Sequence, residues 1–529
     1  MFLSTEQIAA RFTCRLMSDA TARLLTDAFQ ITVGDLFEEQ VRRQPGAPAL
    51  EQDGRLLSYA ALNDRVNRLC AALIAHGTVL GDRVAILSEN RAEFIEVQLA
   101  CAKLGVILAC QNWRQSPEEL AHCLALAEPR LTIVSERFSA RLKPLDHPLP
   151  AIVLGDDYEA LLHSQPARSP STAVQPEDGL VILYTSGTTG MPKSAVISHR
   201  AMVARTAIAF MDGCLDPRKC FVAWAPLFHM GAADNVFGTL MHGGKVMVMD
   251  GFNAATLVEL LPHEELGLLA VTGVVARVLE QLRRTPVRPR GITVMGSMPD
   301  LVPPGEIAEI TALLGAPFRN TFGSTETGMA PASAGRIPIG VAPASFGKTQ
   351  SSLCQIRLLD EHGHEVPDGT PGEVAFRGPS LFSGYWRNET ANQEAFRGGW
   401  YHMGDVLRRN PDGTFDYVDR RKYLIKSGGE NIYPAEIERV LLAHPQVADA
   451  AVVRRKDPRW GEVPVAFVLP RAPGLSADDL LAACRARIAS YKLPREIRFV
   501  TESDLPRSTT GKIMRHKLEE TLKDMGDAG

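Results

Sequence analysis

Apolar positions recur three and four apart over residues 33–44 and 59–77, a spacing that predicts two amphipathic helices. A short apolar run, Val84-Ala-Ile-Leu87, then predicts a strand, and Ala92–Lys103 a helix. Val106–Cys110 predicts a strand, Pro117–Ala127 a helix and Leu131–Val134 another strand. Strands and helices alternating at such short intervals predict parallel βαβ units. Residues 164–178, rich in Pro, Ser and Ala, interrupt the pattern as a surface connection, and the alternation resumes from 180 to about 330.

From about 337 the pattern changes. Residues 340–420 are rich in Gly and Pro and carry short β runs, Gln355–Leu359, Gly372–Phe376 and Thr414–Val418, which predict a β-rich subdomain. Beyond Asp419-Arg-Arg-Lys422 the spacing predicts a compact α/β segment. It has helices at 434–443 and 476–489, strands at 447–453 and 463–469, and a final strand and helix. A hinge is expected near 419–423. The expected division is an N-terminal extension, 1–32, a large domain, 33–419, and a C-terminal domain, 420–529.

Bulk properties narrow the class without naming it. At 529 residues the chain is too long for one core. A net charge of −4 with no long basic run argues against nucleic acid as the main partner, while leaving room for a locally basic nucleotide pocket. The nine cysteines are scattered, odd in number and form no CxxC pair, which predicts reduced thiols in a cytoplasmic protein. No apolar stretch of about 18 residues predicts a membrane span. Arg11 and Arg15 interrupt the only apolar candidate near the N-terminus, so no signal peptide is expected.

The strongest chemical signal is Thr185-Ser-Gly-Thr-Thr-Gly-Met-Pro-Lys193. Four hydroxyl residues and two glycines suit neither helix nor strand, yet they suit an anion: glycine lets the backbone approach, hydroxyls and N–H groups donate, and Lys193 adds charge. Leu180–Tyr184 and Ala195–Ile197 flank the run, so it should join two strands. A P-loop would have Gly before its Lys and a helix after it; here Pro192 precedes Lys193 and a strand follows, so this is a phosphate cradle of another kind.

Four weaker motifs follow. Asn320-Thr-Phe-Gly-Ser-Thr-Glu326 sets a carboxylate beside hydroxyls at a glycine loop, suited to Mg²⁺ with a phosphate, and Phe322 offers a flat face for a base. Tyr401-His-Met-Gly-Asp405 offers a carboxylate for ribose hydroxyls. Arg420 and Lys422 precede Ile425-Lys-Ser-Gly-Gly-Glu-Asn-Ile-Tyr-Pro434, whose paired glycines imply a tight turn. Pro506-Arg-Ser-Thr-Thr-Gly-Lys512 lies near the C-terminus. Each alone reads as an ordinary loop.

In this order, over residues 33 to 518, the five motifs resemble the acyl-adenylate-forming (AMP-binding) superfamily, in its acyl- and aryl-CoA synthetase branch. The resemblance implies an α/β fold: a large multi-subdomain N-terminal domain with mixed sheets and a β-rich subdomain, plus a small mobile α+β C-terminal domain. It implies that a carboxylic acid attacks the α-phosphate of Mg·ATP to give acyl-AMP and pyrophosphate, after which a thiol, commonly that of coenzyme A, displaces AMP. By the same resemblance Thr185, Ser186, Gly187, Thr188, Thr189, Gly190 and Lys193 cradle the β- and γ-phosphates. Thr325 contacts the α-phosphate and Glu326 holds Mg²⁺. Gly296, Ser297, Asn320, Thr321, Phe322 and Gly323 border the adenine, while Asp405 and Arg420 hold the ribose. Lys512 bridges acid and phosphate, and Lys422 marks the hinge. Gly428 and Gly429 line the pantetheine tunnel with Trp460 on its wall, and Lys492 and Arg495 are candidates for the CoA phosphates. The chain departs from the family at Phe322 (usually Tyr), Met403 (usually Thr or Ser), Asp419 (usually Gly), Tyr423 (usually acidic) and Gly296-Ser-Met-Pro299.

Pro226-Leu-Phe-His-Met-Gly-Ala232 resembles the segment bordering the acyl pocket. Amino-acid-activating members carry Asp where this chain has His229; an unpaired ammonium in an apolar pocket is costly, so amino acids are disfavoured and His229 is assigned as a gate beside the carboxylate. The expected wall (Met230, Gly231, Ala232, Ala233, Val271, Val274, Met298 and Met329) predicts an uncharged acyl group, aromatic, alicyclic or aliphatic. The small-molecule partners are then the acid, ATP and CoA, and a homodimer is compatible with the chain. Alternatives at this stage are an acyl-AMP ligase that loads a carrier-protein thiol, a non-catalytic nucleotide-binding relative, and a monooxygenase resembling luciferase.

Overall fold

The computed structural model describes residues 28, 30–143, 150–185, 191–428, 430–507 and 513–524. They form two compact units. The first takes the described residues of Met1–Ala344 with Ser351–Leu353 and Gly378–Glu389; the second takes Ser345–Gln350, Cys354–Arg377 and those of Thr390–Gly529.

In the first unit the predicted alternation of strand and helix is present. Helix Val33–Arg43 starts at Thr32, whose hydroxyl accepts from the Asp35 N–H at 3.2 Å while the Asp35 carboxylate accepts from the Thr32 N–H at 2.9 Å. This reciprocal cap satisfies two N–H groups that a helix start otherwise leaves open. Helices Tyr59–Ala75, Ala92–Leu104 and Pro117–Ala127 match their predicted spans closely. The strands join a six-stranded sheet in the order Ala151–Leu154, Leu131–Ser135, Arg83–Leu87, Ile107–Cys110, Gly179–Thr185, Lys193–Ser198. Every pair is parallel except the last, which is antiparallel. Strands covered on both faces read as unbroken apolar runs, as Val84–Leu87 and Leu180–Leu183 do.

A nine-stranded sheet completes this unit. Its centre is parallel, running from Phe318–Asn320 through Met295–Ser297, Glu265–Ala270, Cys220–Ala223 and Val246–Val248 to Pro48–Gln52. Antiparallel strands Arg336–Ile337 and Arg55–Ser58 close its ends.

The second unit contains the β-rich stretch, an antiparallel sheet of Gln355–Leu359, Pro371–Arg377, Trp400–Arg409, Phe396–Arg397 and Phe415–Arg420. A second sheet pairs Val447–Asp457 with Gly461–Pro470, and Glu496–Phe499 lies parallel to the latter. Alternation along the strand sends Ala450 and Val452 into a core with Ile437, Leu441, Leu480 and Cys484, and Ala451 and Val453 into another with Leu505, Leu518 and Leu522. The helix predicted over 476–489 spans only Ala477–Arg485. Ile488 still packs against the same core from the turn beyond, so the apolar period outlasts the helix.

Candidate active site

The two strands predicted to flank the Thr185–Lys193 motif are present and pair antiparallel. Thr185 ends strand Gly179–Thr185 directly opposite Lys193, which begins Lys193–Ser198. Ser186, Gly187, Thr188, Thr189 and Gly190 lie outside the described residues, as do Gly429 and Lys512.

The base-binding candidates gather at the carboxyl ends of adjacent parallel strands, where open α/β sheets bind ligands. Gly296 pairs with Arg319, and Ser297 with Asn320. A Cβ at Gly296 would sit 2.8 Å from Arg319 Cβ, so the two strands require glycine there. Arg319 Nε donates to the Thr321 hydroxyl at 3.0 Å. Phe322 is 5 % exposed, with its N–H donating to Ser333 Oγ at 2.9 Å. Its ring is therefore covered, in contrast to the open face expected of a base platform.

The chain then makes a tight hairpin. Gly323–Ser324 pairs with Gly328–Pro331, and a Cβ at Gly323 would meet Gly328 O at 2.0 Å. Within the turn the Ser324 N–H donates to Thr327 Oγ1 at 3.1 Å. The turn presents Thr325 and Glu326. Glu326 is buried, and among the described residues its carboxylate accepts one hydrogen bond, from Tyr385 Oη at 2.9 Å. A lightly bonded carboxylate with no ion-pair partner among the described residues is a fitting hard-oxygen donor for magnesium. Among the described residues no cluster of three or more His, Cys, Asp or Glu could hold a metal. Magnesium at Glu326 would thus draw its remaining ligands from phosphate and water.

Arg205, from helix His199–Met211, holds this turn from below. Its Nη2 donates to Thr325 O at 2.9 Å, its Nε donates to Ser380 O at 3.0 Å, and its Nη1 lies 3.3 Å from both Asp234 carboxylate oxygens. Arg205 and Asp234 are both buried, and burial pushes the Asp234 carboxyl up while the adjacent guanidinium opposes the shift. Asp234 belongs to helix Met230–Met241. His229 caps that helix: its Nδ1 accepts from the Gly231 N–H at 3.2 Å and its side chain is exposed. Asn90 fixes the approach to it, donating to the carbonyls of Ala223, Ala225 and Met249 and accepting from the Leu227 N–H.

In the second unit Asp405 and Arg420 face each other across the hairpin, with Arg420 Nε donating to Asp405 Oδ1 at 3.1 Å. Lys422 sits in the turn Arg421–Tyr423, its ammonium 4.9 Å from the Tyr423 ring centroid; Arg515 lies over the same ring at 4.5 Å. The tyrosine that replaces an acidic residue thus still receives two cations. Asp419, the other departure near the expected hinge, accepts from the Ala435 N–H at 2.7 Å and caps helix Pro434–Leu442. Burial pushes its carboxyl up to about 6, against the opposing pull of Arg515.

Gly428 and Trp460 also come together. The Gly428 N–H donates to Trp460 O at 2.8 Å, φ at Gly428 is +58°, and a Cβ there would meet the indole at 2.6 Å. Trp460 is 36 % exposed, with Arg459 4.8 Å and Arg495 5.8 Å from its ring. Lys492, in contrast, is engaged by Glu436 at 2.6 Å.

Sequence reasoning missed Asn90, Arg205 and Tyr385. Asn90 had a usable signal, a polar residue just past the carboxyl end of a parallel strand. Arg205 and Tyr385 had none, since each acts through partners remote in the chain.

Comparisons with known proteins give the family. Residues 37–386 match the AMP-binding enzyme family, and residues 436–512 match the AMP-binding enzyme C-terminal domain. The chain is 34% identical to indoleacetate–CoA ligase of Aromatoleum aromaticum over 508 residues, covering 90% of this chain and 96% of the relative. It is 32% identical to feruloyl-CoA synthase of an Amycolatopsis species over 482 residues, covering 90% and 96%. The solved o-succinylbenzoate CoA synthetase of Bacillus subtilis, in complex with its acyl-adenylate intermediate, superposes with a TM-score of 0.80 at 28% identity, covering 92% of this chain and 97% of that one.

Proposed function

This chain belongs to the AMP-binding enzyme family, and from that premise we propose the acid it activates and the residues that do so. It is an AMP-forming acid–CoA ligase, using ATP, Mg²⁺ and coenzyme A; the similarities favour this over loading of a carrier protein. A carboxylate is a poor electrophile. Joining it to AMP creates a good leaving group, and the CoA thiol then attacks the activated carbonyl. Catalysis is mainly positioning and stabilisation of phosphate charge.

We assign the triphosphate to the loop from Thr185 to Lys193, the α-phosphate to Thr325 and the ribose to Asp405 and Arg420. Glu326 is the residue that would hold magnesium, whose chemistry there is to neutralise phosphate oxygens. Lys512 is assigned to the acid–phosphate junction, and Gly428, Gly429 and Trp460 to the pantetheine path. The observation that carries the triphosphate assignment is that Lys193 and Glu326, remote in sequence, both contact Tyr385.

The acid is apolar and, we propose, aromatic. Support comes from the apolar wall along Met230–Ala233, Val271 and Val274, and from relatives named for indoleacetate and ferulate. The C-terminal domain, 420–529, is proposed to move about Lys422 between half-reactions. Cytoplasmic placement is supported by Cys70, Cys101, Cys110, Cys123, Cys214, Cys220 and Cys484, which are buried free thiols. No helix among the described residues is long and apolar enough to cross a membrane. A homodimer is left to light scattering. The deciding experiment is a panel of aryl, alicyclic and aliphatic acids assayed for ATP-dependent pyrophosphate release and for thioester with CoA. Aryl acids should lead; absence of AMP with every acid would overturn the assignment.

A further inference from the structure

We propose that Tyr385 is a positioning residue for the magnesium-triphosphate, holding Glu326 and Lys193 apart and aimed at the same ligand; this rests on the triphosphate assignment above. Lys193 comes from a sheet-edge strand and Glu326 from a separate hairpin turn, and one phenol serves both. Its hydroxyl donates to Glu326 Oε1 at 2.9 Å, and the Lys193 ammonium lies 5.0 Å from its ring centroid. Tyr385 is 9 % exposed, and its ring packs edge-on against Phe382, centroids 4.9 Å apart.

The backbone fixes the phenol as firmly as its contacts do. Segment 383–386 runs antiparallel along Lys193–Ser198. Ser383 N–H donates to Val196 O at 2.8 Å, Val196 N–H to Gly384 O at 3.0 Å, and Trp386 N–H to Ser194 O at 2.8 Å. On the other side the Phe382 N–H donates to Glu326 O at 2.8 Å. The segment therefore bolts the lysine strand to the glutamate turn, and Tyr385 projects from the middle of the bolt.

The consequence is electrostatic. An ammonium and a carboxylate delivered to one small site would neutralise each other and be lost to the nucleotide. Here the ring face takes the cation and the hydroxyl takes the anion, on different parts of one side chain. Among the described residues Lys193 makes no ion pair with any carboxylate, and the Glu326 carboxylate accepts a hydrogen bond only at Oε1, from Tyr385.

The test compares Tyr385→Phe, which keeps the ring and removes the hydroxyl, with Tyr385→Leu, which removes both. Calorimetric binding of ATP with and without Mg²⁺ is the main readout. Tyr385→Phe should weaken Mg·ATP by roughly tenfold and metal-free ATP by less than about threefold, the loss expected of one hydrogen bond to a charged group. Tyr385→Leu should weaken both forms. In turnover, KM for Mg·ATP and the Mg²⁺ needed for half-maximal rate should rise more than kcat falls. In a cycle with Glu326→Gln, the double variant should bind Mg·ATP no worse than Glu326→Gln alone, because the hydroxyl acts through that carboxylate. Wild-type affinity in Tyr385→Phe, equal losses with and without Mg²⁺, effects that multiply in the cycle, or a Tyr385→Phe chain that fails to fold would each overturn the proposal. Wild-type protein that binds no ATP would overturn the triphosphate assignment itself, and that result is read without any variant.

Discussion

Replacing Arg205 with methionine separates what a buried charge does for stability from what it does for the turn proposed to hold the α-phosphate and magnesium. Methionine keeps the aliphatic stem that packs on Gly328 and removes the guanidinium. Asp234 then remains buried without its cation, and breaking one side of such a pair costs ~3–5 kcal/mol. The lower half of that range applies here, because both contacts are 3.3 Å, long for a charge-assisted bond, and because burial already raises the Asp234 carboxyl, so it can take a proton once Arg205 is gone. About 1–2 kcal/mol more comes from the Thr325 and Ser380 carbonyls that lose a donor. The single variant should therefore lose roughly 4 kcal/mol. Adding Asp234→Asn removes the stranded charge and should return about half of it. Activity should not return with it, since the Thr325 carbonyl still lacks its donor and a displacement near 1 Å costs about 100-fold. Urea midpoints and pyrophosphate-release rates on wild type, Arg205→Met and the double variant decide the matter. A double variant no more stable than the single, or one with wild-type turnover, would refute the reasoning.

Gly428→Ala places a methyl against the Trp460 ring at a left-handed backbone angle, so about 1–2 kcal/mol of stability and at least about tenfold in thioester formation should be lost while pyrophosphate release survives; equal loss of both half-reactions would remove Gly428 from the CoA path. His229→Asp keeps a good helix cap, since aspartate accepts from the same N–H groups, but sets a negative charge beside the proposed acid site; the melting temperature should hold and KM for apolar acids should rise, and unchanged KM across the panel would place His229 away from the pocket. Asp419 has a folded-state carboxyl at about 6 against an ordinary 3.8, so the native state holds its proton more tightly and stability falls as pH rises from about 4 to 6. Melting scans should show that decline in wild type and a flatter profile in Asp419→Asn, and parallel profiles would assign the slope to other groups.

Much of this architecture was legible in the chain because one physical rule governs it. Where helices cover a parallel sheet, apolar spacing alone marks strand and helix, and Val84–Leu87, Ala92–Lys103 and Pro117–Ala127 all form as their spacing predicts. Spacing breaks down where a turn buries a side chain without continuing a helix, as at Ile488. It is also silent on which strands adjoin: nothing local in Pro48–Gln52 says that it lies beside Val246–Val248. The chemistry divides in the same way. A motif carried on one turn, such as Ser324–Thr327, could be read locally, whereas Asp405 and Arg420 were linked only through the family resemblance, and their pairing across a hairpin comes from the structure. Phe322 was assigned by its type as a stacking face, yet packing covers most of it. Arg205 and Tyr385 draw their meaning entirely from tertiary pairing, which a linear reading does not contain.

The addition of residues 383–386 to the outer strand Lys193–Ser198 sets an order on synthesis. A nascent chain released before that segment emerges would expose the strand's open amides and carbonyls, a template for sticking to other chains. The edge of strand Lys193–Ser198 cannot be sealed until the ribosome has delivered some of the latest residues of the first unit. Premature stops between the glutamate turn and this clasp should therefore yield insoluble fragments rather than weak enzymes, and a fragment ending just past Glu389 contains everything needed to shield that strand edge.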